Sequence, residues 1–159
     1  MWRTAFQGET GQPEQLGFVT DCNSMNNRAG AGFFFIGSGI GVVNNASASN
    51  AGMGFLFVNS QSIGFMNNRS SSNDSFGLLN YRVDDSFFGD NTVTANDGVG
   101  VIFNNSRRNM MQSNLICRNT GVGTFFSATT SDNFATGNVY RSNAFDLGIV
   151  DQGNNVIDE

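Results

Sequence analysis

The sequence repeats itself with a period of about 23 residues, which falls among the repeat lengths of solenoids and arrays. Six segments place a Gly before apolar residues, namely AGFFF, MGFLF, FGLLN, VGVIF, VGTFF and LGIVD, with the glycines at Gly32, Gly54, Gly77, Gly100, Gly123 and Gly148. Their numbers rise in nearly equal steps, and only the first step is shorter and the last one longer than the others. The regular spacing predicts a solenoid, in which each unit buries its apolar face against the next unit.

Asparagines recur in the same phase. One series consists of Asn27, Asn50, Asn73, Asn96, Asn119 and Asn143. The spacing between its members is constant, except that the last spacing is one residue longer. Shortly before each of these, at a fixed offset, stand Cys22, Asn45, Asn68, Asn91, Asn114 and Asn138. Amide side chains at equal positions of stacked coils can hydrogen-bond to one another along the stack. The first series is therefore predicted to be a structural ladder.

The residue types favour strands over helices. Each repeat combines a Gly, apolar residues at a spacing of two and Asn- and Ser-rich turns, whereas helix formers are scarce. A coil of this length holds three short strands, and stacked coils lie about 4.8 Å apart, like neighbouring strands in a sheet. The sequence predicts an all-β solenoid of about six coils over residues 17–159, with residues 1–16 as a partial coil or a cover.

The repeat also resembles a known family. The pattern Gly-φ-x-φ-x-x-Ser, followed by φ-x-x-Asn-x-x-x-x-Asn, in which φ is apolar, is similar to the right-handed parallel β-helix repeats of NosD-like and carbohydrate-binding or sugar-hydrolase proteins. The resemblance covers roughly residues 17–157 and implies a right-handed parallel β-helix. Such proteins include lyases, hydrolases, epimerases, transport accessory proteins and surface modules. No catalytic motif of these proteins matches a position here, so no catalytic residue is predicted.

Composition excludes several functions. The chain has no His and no Lys, and its eight Arg face thirteen acidic residues, for a net charge of −5. Without His it lacks the commonest general base and metal ligand, and no cofactor or metal is predicted. Nucleic acid is a poor partner for so acidic a chain. No apolar run approaches the ~18 residues of a membrane span. The start, MWRTAFQGETGQ, lacks the apolar segment of a signal peptide.

Strand alternation assigns residues to the two sides of the sheet that follows each Gly. The first and third residues, such as Phe55 and Phe57, are predicted to point inward. The residue between them is apolar in every repeat and is predicted to point outward. This outer row consists of Phe34, Leu56, Leu79, Ile102, Phe125 and Val150. With the glycines beside it, the row predicts a flat apolar face that contacts another copy of the chain or is covered by a terminal segment.

Charged residues supply two further candidates. Asp74 and Asp97 share a phase in adjacent coils, which is consistent with a calcium site or with ordinary solvated turns. Asp84 and Asp85 share a phase with Arg107 and Arg108 one coil later. These four residues predict an inter-coil ion-pair ladder, with a subsite for acidic sugars as the alternative. Cys22 and Cys117 fall four coils apart, too far for a disulfide bond.

Two functions follow from these patterns. The first is a non-enzymatic structural or binding solenoid that self-associates through the outer row into a homo-oligomer or filament, such as a surface fibre or an assembly subunit. The alternative is a carbohydrate-active module of the lyase, hydrolase or epimerase kind that uses the stacked Asp and Arg residues, with polysaccharide as its partner. Either function predicts an extracellular or cell-surface location.

Overall fold

The computed structural model describes residues 17–149 and 154–158. In this part of the chain nineteen parallel strands form three sheets, and each coil contributes one strand to each sheet in turn. The predicted all-β solenoid of about six coils is confirmed. The predicted N-terminal segment, residues 1–16, lies outside the described residues.

Each sheet is built from every third strand of the chain. Sheet 1 contains β1 (Gly17–Thr20), β4 (Ile40–Val43), β7 (Gly64–Met66), β10 (Phe87–Gly89), β13 (Met110–Gln112), β16 (Phe134–Thr136) and β19 (Val156–Asp158). Sheet 2 contains β2 (Asn23–Met25), β5 (Ala46–Ala48), β8 (Arg69–Ser71), β11 (Thr92–Thr94), β14 (Leu115–Cys117) and β17 (Val139–Arg141). Sheet 3 contains β3 (Phe33–Ser38), β6 (Phe55–Gln61), β9 (Leu78–Asp84), β12 (Val101–Asn104), β15 (Val122–Phe126) and β18 (Phe145–Ile149).

Successive coils stack in register. In sheet 1, for example, Phe88 pairs with Phe65 of the preceding coil and with Met111 of the following coil. The short first step of the repeat has a structural cause, because the pairing of β3 with β6 shifts by one residue after Ile36. Equal positions therefore lie above one another from the second coil onward.

The interior is a set of side-chain stacks, as the alternation predicted. The rings of Phe35 and Phe57 lie 4.9 Å apart, and those of Phe103 and Phe126 lie 5.2 Å apart, both pairs nearly parallel. Phe88 of sheet 1 meets Phe57 and Phe103 edge to face. All five side chains are buried. Dispersion and apolar burial along these stacks join one coil to the next.

The chain turns between sheets through single residues in the left-handed region. Asn44, Asn67 and Asp90, for example, follow strands of sheet 1 with φ values of 58°, 55° and 54°. Asn and Asp adopt this conformation more readily than other non-Gly residues. The frequent short polar residues just before each ladder Asn are thus explained by backbone geometry.

The predicted Asn ladder occupies the corner between sheets 2 and 3. Every member bonds to the next, in the order Asn27, Asn50, Asn73, Asn96, Asn119 and Asn143. In each bond the side-chain Nδ2–H of one Asn donates to the Oδ1 of its counterpart in the following coil. A second ladder, from Asn45 to Asn138, occupies the corner between sheets 1 and 2 in the same way. Both ladders satisfy buried backbone donors as well.

A third ladder was not predicted. Asn109, Asn133 and Asn155 bond in sequence at the corner between sheets 3 and 1. In the preceding coil Ser86 takes the same place, and its backbone N–H donates to the Oδ1 of Asn109. The sequence signal was weak because Asn occupies this corner only in the later coils.

The glycine row corrects one prediction. These glycines were expected on the outward side of the sheet, but Gly54, Gly77 and Gly100 are buried at the corner between sheets 2 and 3, and Gly123 is buried near the start of β15. A Cβ added to Gly77 would lie 2.7 Å from the carbonyl oxygen of Gly100 and 2.8 Å from the Nδ2 of Asn96. The row is needed because only Gly lets the next coil approach so closely. It does not line the apolar face.

The last coil corrects a second prediction. Leu147 pairs with Thr124, and Gly148 pairs with Phe125. Gly148 is therefore the counterpart of the outer row, and it does not continue the glycine row as the repeat had suggested. Val150, which was assigned to the outer row, lies outside the described residues. The longer final step, from Gly123 to Gly148, was the sign of this misalignment.

Asn80 is an interior polar residue whose side chain is not compensated by hydrogen bonds. Asn80 stacks between Phe57 and Phe103 and is fully buried. Neither its Oδ1 nor its Nδ2 has a hydrogen-bond partner in the described part of the chain. A buried amide without partners destabilises the folded state relative to an apolar side chain.

We therefore expect Asn80→Leu to raise the free energy of unfolding by about 1–2 kcal/mol, because it removes the uncompensated desolvation of the amide. Urea unfolding followed by far-UV circular dichroism measures the change. Asn80→Asp has the same shape and should instead lower stability, because its charge would be buried among phenyl rings. Loss of stability in the Leu variant would contradict this account of Asn80.

Candidate functional site

The described members of the outer row lie on the outward side of sheet 3, and their exposure is uneven. Phe34 is 40% exposed, whereas Ile102 is only 9% exposed. Leu56, Leu79 and Phe125 are half-buried. The apolar surface is thus most accessible in the first coils, where Ile36, on the same strand as Phe34, is also 40% exposed.

Beside the outer row lies a polar band that the sequence did not reveal. Tyr81 follows Leu79 on β9 and is half-buried, and the guanidinium of Arg82 lies over its ring, 5.1 Å from the centroid. This cation–π contact holds Arg82 against the sheet. One coil further, Asn104 pairs with Tyr81, and its Oδ1 accepts a hydrogen bond of 3.1 Å from the hydroxyl of Ser127. Arg82 has φ of 55°, a conformation that alternation rules do not anticipate.

The four predicted charges meet at the next corner. Arg108 donates from Nε and Nη2 to the two carboxylate oxygens of Asp85, at 2.6 and 2.8 Å. The backbone N–H of Arg107 donates to Asp84 Oδ1 at 2.9 Å, and its Nη2 lies 3.6 Å from Asp84 Oδ2. We call Asp84, Asp85, Arg107 and Arg108 the charged corner. The predicted inter-coil ion pairs are confirmed, and the fork of Arg108 on Asp85 has the bidentate geometry that Arg favours.

These contacts shift ionisation equilibria. The hydrogen bond from Arg108 lowers the pKa of Asp85 below its ordinary value, and the same bond raises the pKa of Arg108. A carboxyl group with a lowered pKa in the folded state stabilises that state above the pKa of the unfolded chain. This stabilisation is lost as the pH falls through the folded pKa of Asp85. The relevant window therefore lies below about pH 4.

A titration of the side-chain carboxyl carbons by NMR tests this assignment. We expect the midpoint of Asp85 in the native chain to lie below its midpoint in Arg108→Gln, because that variant removes the hydrogen bond that contributes most to lowering the pKa of Asp85. Arg69→Gln removes an exposed arginine on sheet 2 and should leave Asp85 unchanged. Equal midpoints in the native chain and Arg108→Gln would show that the ion pair does not persist in solution.

Asp74 and Asp97 follow the Asn ladder in consecutive coils, as predicted. Their backbone N–H groups donate to Asn50 and Asn73, respectively, and Asp97 Oδ1 accepts a 3.0 Å hydrogen bond from Thr120. Within residues 17–149 and 154–158, no three His, Cys, Asp or Glu side chains come together as metal ligands. Two carboxylates fall well short of the six to eight oxygens that calcium takes. The geometry is that of a solvated turn.

The two cysteines are free. Cys22 is exposed at a corner, and Cys117 on β14 stacks four strands along sheet 2 from Met25 of the coil that contains Cys22. Four coil spacings amount to about 19 Å, which is too far for a disulfide bond.

The described residues include no helix with the length and hydropathy that a membrane crossing requires.

The three parallel sheets, to which each coil adds one strand in turn, place the chain in the class of parallel β-helix proteins. The family model described as periplasmic copper-binding protein (NosD) matches residues 15–157, and the chain belongs to this family. No sequence among the curated proteins matches the chain.

Solved structures support the fold. A double mutant of the periplasmic alginate epimerase AlgG matches with a TM-score of 0.65 and 20% identity, over 81% of this chain and 36% of the epimerase chain. A single mutant of the same epimerase matches with a TM-score of 0.67 and 14% identity, over 87% and 39% of the two chains. This chain therefore spans less than two fifths of the epimerase. At such identities the likeness concerns the fold alone.

The family description raises the question of copper. Copper sites in proteins use His, Cys and Met ligands. This chain has no His, and its two cysteines lie four coils apart. The described residues also hold no group of three His, Cys, Asp or Glu side chains that could bind a metal ion. The described residues therefore do not fit a copper site of the His or Cys type.

Proposed function

We propose that the chain is a carbohydrate-binding β-solenoid module that acts outside the cytoplasm and binds polysaccharide along the outward side of sheet 3. The observation that carries the proposal is the adjacency of Tyr81, Arg82 and the charged corner. An aromatic ring, guanidinium groups and carboxylates lie there along β9 and at the corner after it, in two neighbouring coils. The proposal concerns binding and assigns no catalytic residue.

Sugars present two kinds of surface. Their C–H faces pack on aromatic rings, and their hydroxyls pair with planar polar groups that are held in fixed directions. Tyr81 offers a ring that is partly accessible. The ion pairs of the charged corner fix the directions of Arg108 and Asp85.

The comparisons support the location, and one of them supports the class of ligand. The family is described as periplasmic and copper-binding, and the matched structures are of a periplasmic alginate epimerase. A location outside the cytoplasm agrees with both descriptions, whereas a polysaccharide ligand agrees with the epimerase alone. The substrate of the epimerase itself is not assigned to this chain.

Titration calorimetry with an oligouronide and with a neutral oligosaccharide tests the proposal. We expect one of the two oligosaccharides to bind the native chain. Its affinity should be at least tenfold lower for Tyr81→Ala and for the double variant Arg107→Gln, Arg108→Gln. Arg141→Gln, an exposed arginine on sheet 2, is the matched control and should bind normally. Absence of binding to the native chain, or equal affinity in all variants, would refute the proposed site. Circular dichroism verifies that each variant is folded.

Self-association is the second candidate. One observation favours it, namely that Phe34 and Ile36 stand on one strand with 40% of each side chain exposed. Next to them on β6, Leu56 and Val58 are apolar and half-buried. An apolar patch of this kind is suited to contact a second copy of the chain.

Sedimentation velocity at several concentrations tests this second candidate. We expect assemblies of the native chain that dissociate when Phe34 and Ile36 are both changed to Asp. These positions are preferable to Ile102, because a charge at that nearly buried residue would also unfold the coil. A native chain that is monomeric at every concentration would exclude the candidate.

A further inference from the structure

The outward side of sheet 1 carries a second apolar surface that the proposed function does not use. One row along the solenoid axis consists of positions paired from β1 to β19, namely Phe18, Gly41, Gly64, Phe87, Met110, Phe134 and Val156. Phe18 is 65% exposed, Phe134 39% and Val156 54%.

Glycines shape this surface. A Cβ added to Gly41 would lie 2.6 Å from the ring of Phe18, and a Cβ added to Gly89 would touch the ring of Phe87. Each ring therefore packs on bare backbone and lies down on the sheet. Gly64, between Gly41 and Phe87 in the row, would meet nothing within 4 Å. The result is an open slot, one strand wide, with a floor at Gly64 and a phenyl group toward either end.

The rims of this surface are acidic. Asp21 and Asp90 directly follow strands of sheet 1, Asp132 lies two residues before β16, and Asp158 ends β19, and all four are exposed. None of the seven strands of sheet 1 contains a basic residue. At the neighbouring charged corner Arg107 and Arg108 pair with Asp84 and Asp85, and Arg108 also attracts Asp132. Among the described residues, Asp21, Asp90 and Asp158 are the rim carboxylates without an ion pair to an arginine.

We propose that this surface binds a basic amphipathic segment of a partner protein. An apolar side chain of the segment enters the slot above Gly64, between Phe18 and Phe87. Lys or Arg side chains on either side of it reach Asp21 and Asp90. The charge complementarity is what favours such a partner, because an acidic or neutral ligand would leave the rim carboxylates unpaired, whereas cationic flanks would be attracted to them. The net charge of −5 adds long-range attraction of the same sign.

The probe for this proposal is a fluorescently labelled peptide of alternating Leu and Lys, measured by anisotropy against the full chain. A peptide of alternating Ser and Lys has the same charge without apolar side chains, and a peptide of Leu and Glu has the opposite charge. We expect saturable binding of the Leu–Lys peptide that weakens with salt, and binding at least tenfold weaker for the other two. Equal binding of the Ser–Lys peptide would reduce the interaction to unspecific charge attraction and overturn the proposal.

Two variants locate the binding. Gly64→Leu fills the slot at a position with open space above it, and we expect it to weaken Leu–Lys binding at least tenfold. Ala48→Leu adds the same bulk to the outward side of sheet 2 and should bind normally. The double variant Asp21→Asn, Asp90→Asn should weaken binding and flatten its salt dependence. Full affinity in Gly64→Leu, or displacement of the peptide by a neutral oligosaccharide, would refute the assignment. Tyr81→Ala, on sheet 3, should not affect this binding, so the two proposals fail independently.

Discussion

Gly100→Ala is expected to lower the free energy of unfolding by about 3 kcal/mol, the upper part of the range for overpacking a buried site. The added Cβ would lie 2.5 Å from the carbonyl oxygen of Gly123 and 2.8 Å from the Nδ2 of Asn119. Neither atom can move away without loss of stability. The carbonyl belongs to the backbone of the next coil, and the amide of Asn119 is held by the hydrogen bonds of the ladder. The backbone of Gly100 is itself fixed by hydrogen bonds to Leu78 and Val122 at 2.8 Å. The coils would have to separate locally.

Chemical denaturation followed by circular dichroism measures this loss. Gly64→Ala is the matched control, because it makes the same change in a strand of sheet 1 where nothing lies within 4 Å of the new Cβ. We expect a change of less than about 1 kcal/mol there. If the two variants were equally stable, the close approach of the coils at Gly100 would not exist in solution.

Asn73→Ala is expected to cost about 4 kcal/mol, because several buried groups lose their partners at once. Asn73 Oδ1 accepts from the backbone N–H and the Nδ2–H of Asn50, at 3.1 and 2.9 Å. Its Nδ2 donates to Asn96 Oδ1 at 2.8 Å and to the hydroxyl of Ser70 at 3.1 Å. A methyl group replaces none of these bonds, and the vacated space is closed to solvent.

The same unfolding measurement applies, with Asp74→Ala as the control. Asp74 is the next residue in the chain and is exposed, so its change should remain within about 0.5 kcal/mol. A second readout is hydrogen exchange of the backbone N–H of Asn50, which should become much faster in Asn73→Ala. Unchanged exchange and stability would mean that the ladder contributes little beyond backbone pairing.

Most of the fold could be predicted because stacking ties one coil to the next. Phe65 and Phe88 occupy interior positions whose neighbours above and below are also apolar, so the pattern repeats in the sequence. A ladder Asn such as Asn96 likewise needs an Asn in each adjacent coil to pair with. Periodicity therefore revealed both the interior and the first two ladders.

The errors arose where the local rule changes. Alternation describes strands, but Gly54 precedes β6 and belongs to a corner, where the backbone direction differs. Gly148 was wrongly assigned to the glycine row. That row needs Gly only where the carbonyl of the next coil lies too close for a Cβ, as the carbonyl of Asp146 does at Gly123. Spacing from one Gly to the next is then no guide to register.

The candidate site was predictable only in part. The phase of Asp85 and Arg108 was enough to bring them together one coil apart. The contact of Arg82 with Tyr81 was not, because a residue in the left-handed region projects its side chain in a direction that spacing does not encode. The surface around Phe18 and Phe87 was missed for another reason. Its glycines shape the surface because they have no side chain, and the repeat pattern does not show which glycines leave open space.

The common register of the coils also determines how such a chain can change in length. Gly64 and Phe87 occupy equal positions one coil apart, so excision of residues 64–86 would join two matching cross-sections, and duplication of that stretch would insert another. Each event would shift the two ends of the solenoid by one spacing of about 4.8 Å while every outward side keeps its orientation. Genes for such proteins can therefore lengthen or shorten the distance between two attachment points in fixed increments, without redesign of the surfaces that do the binding.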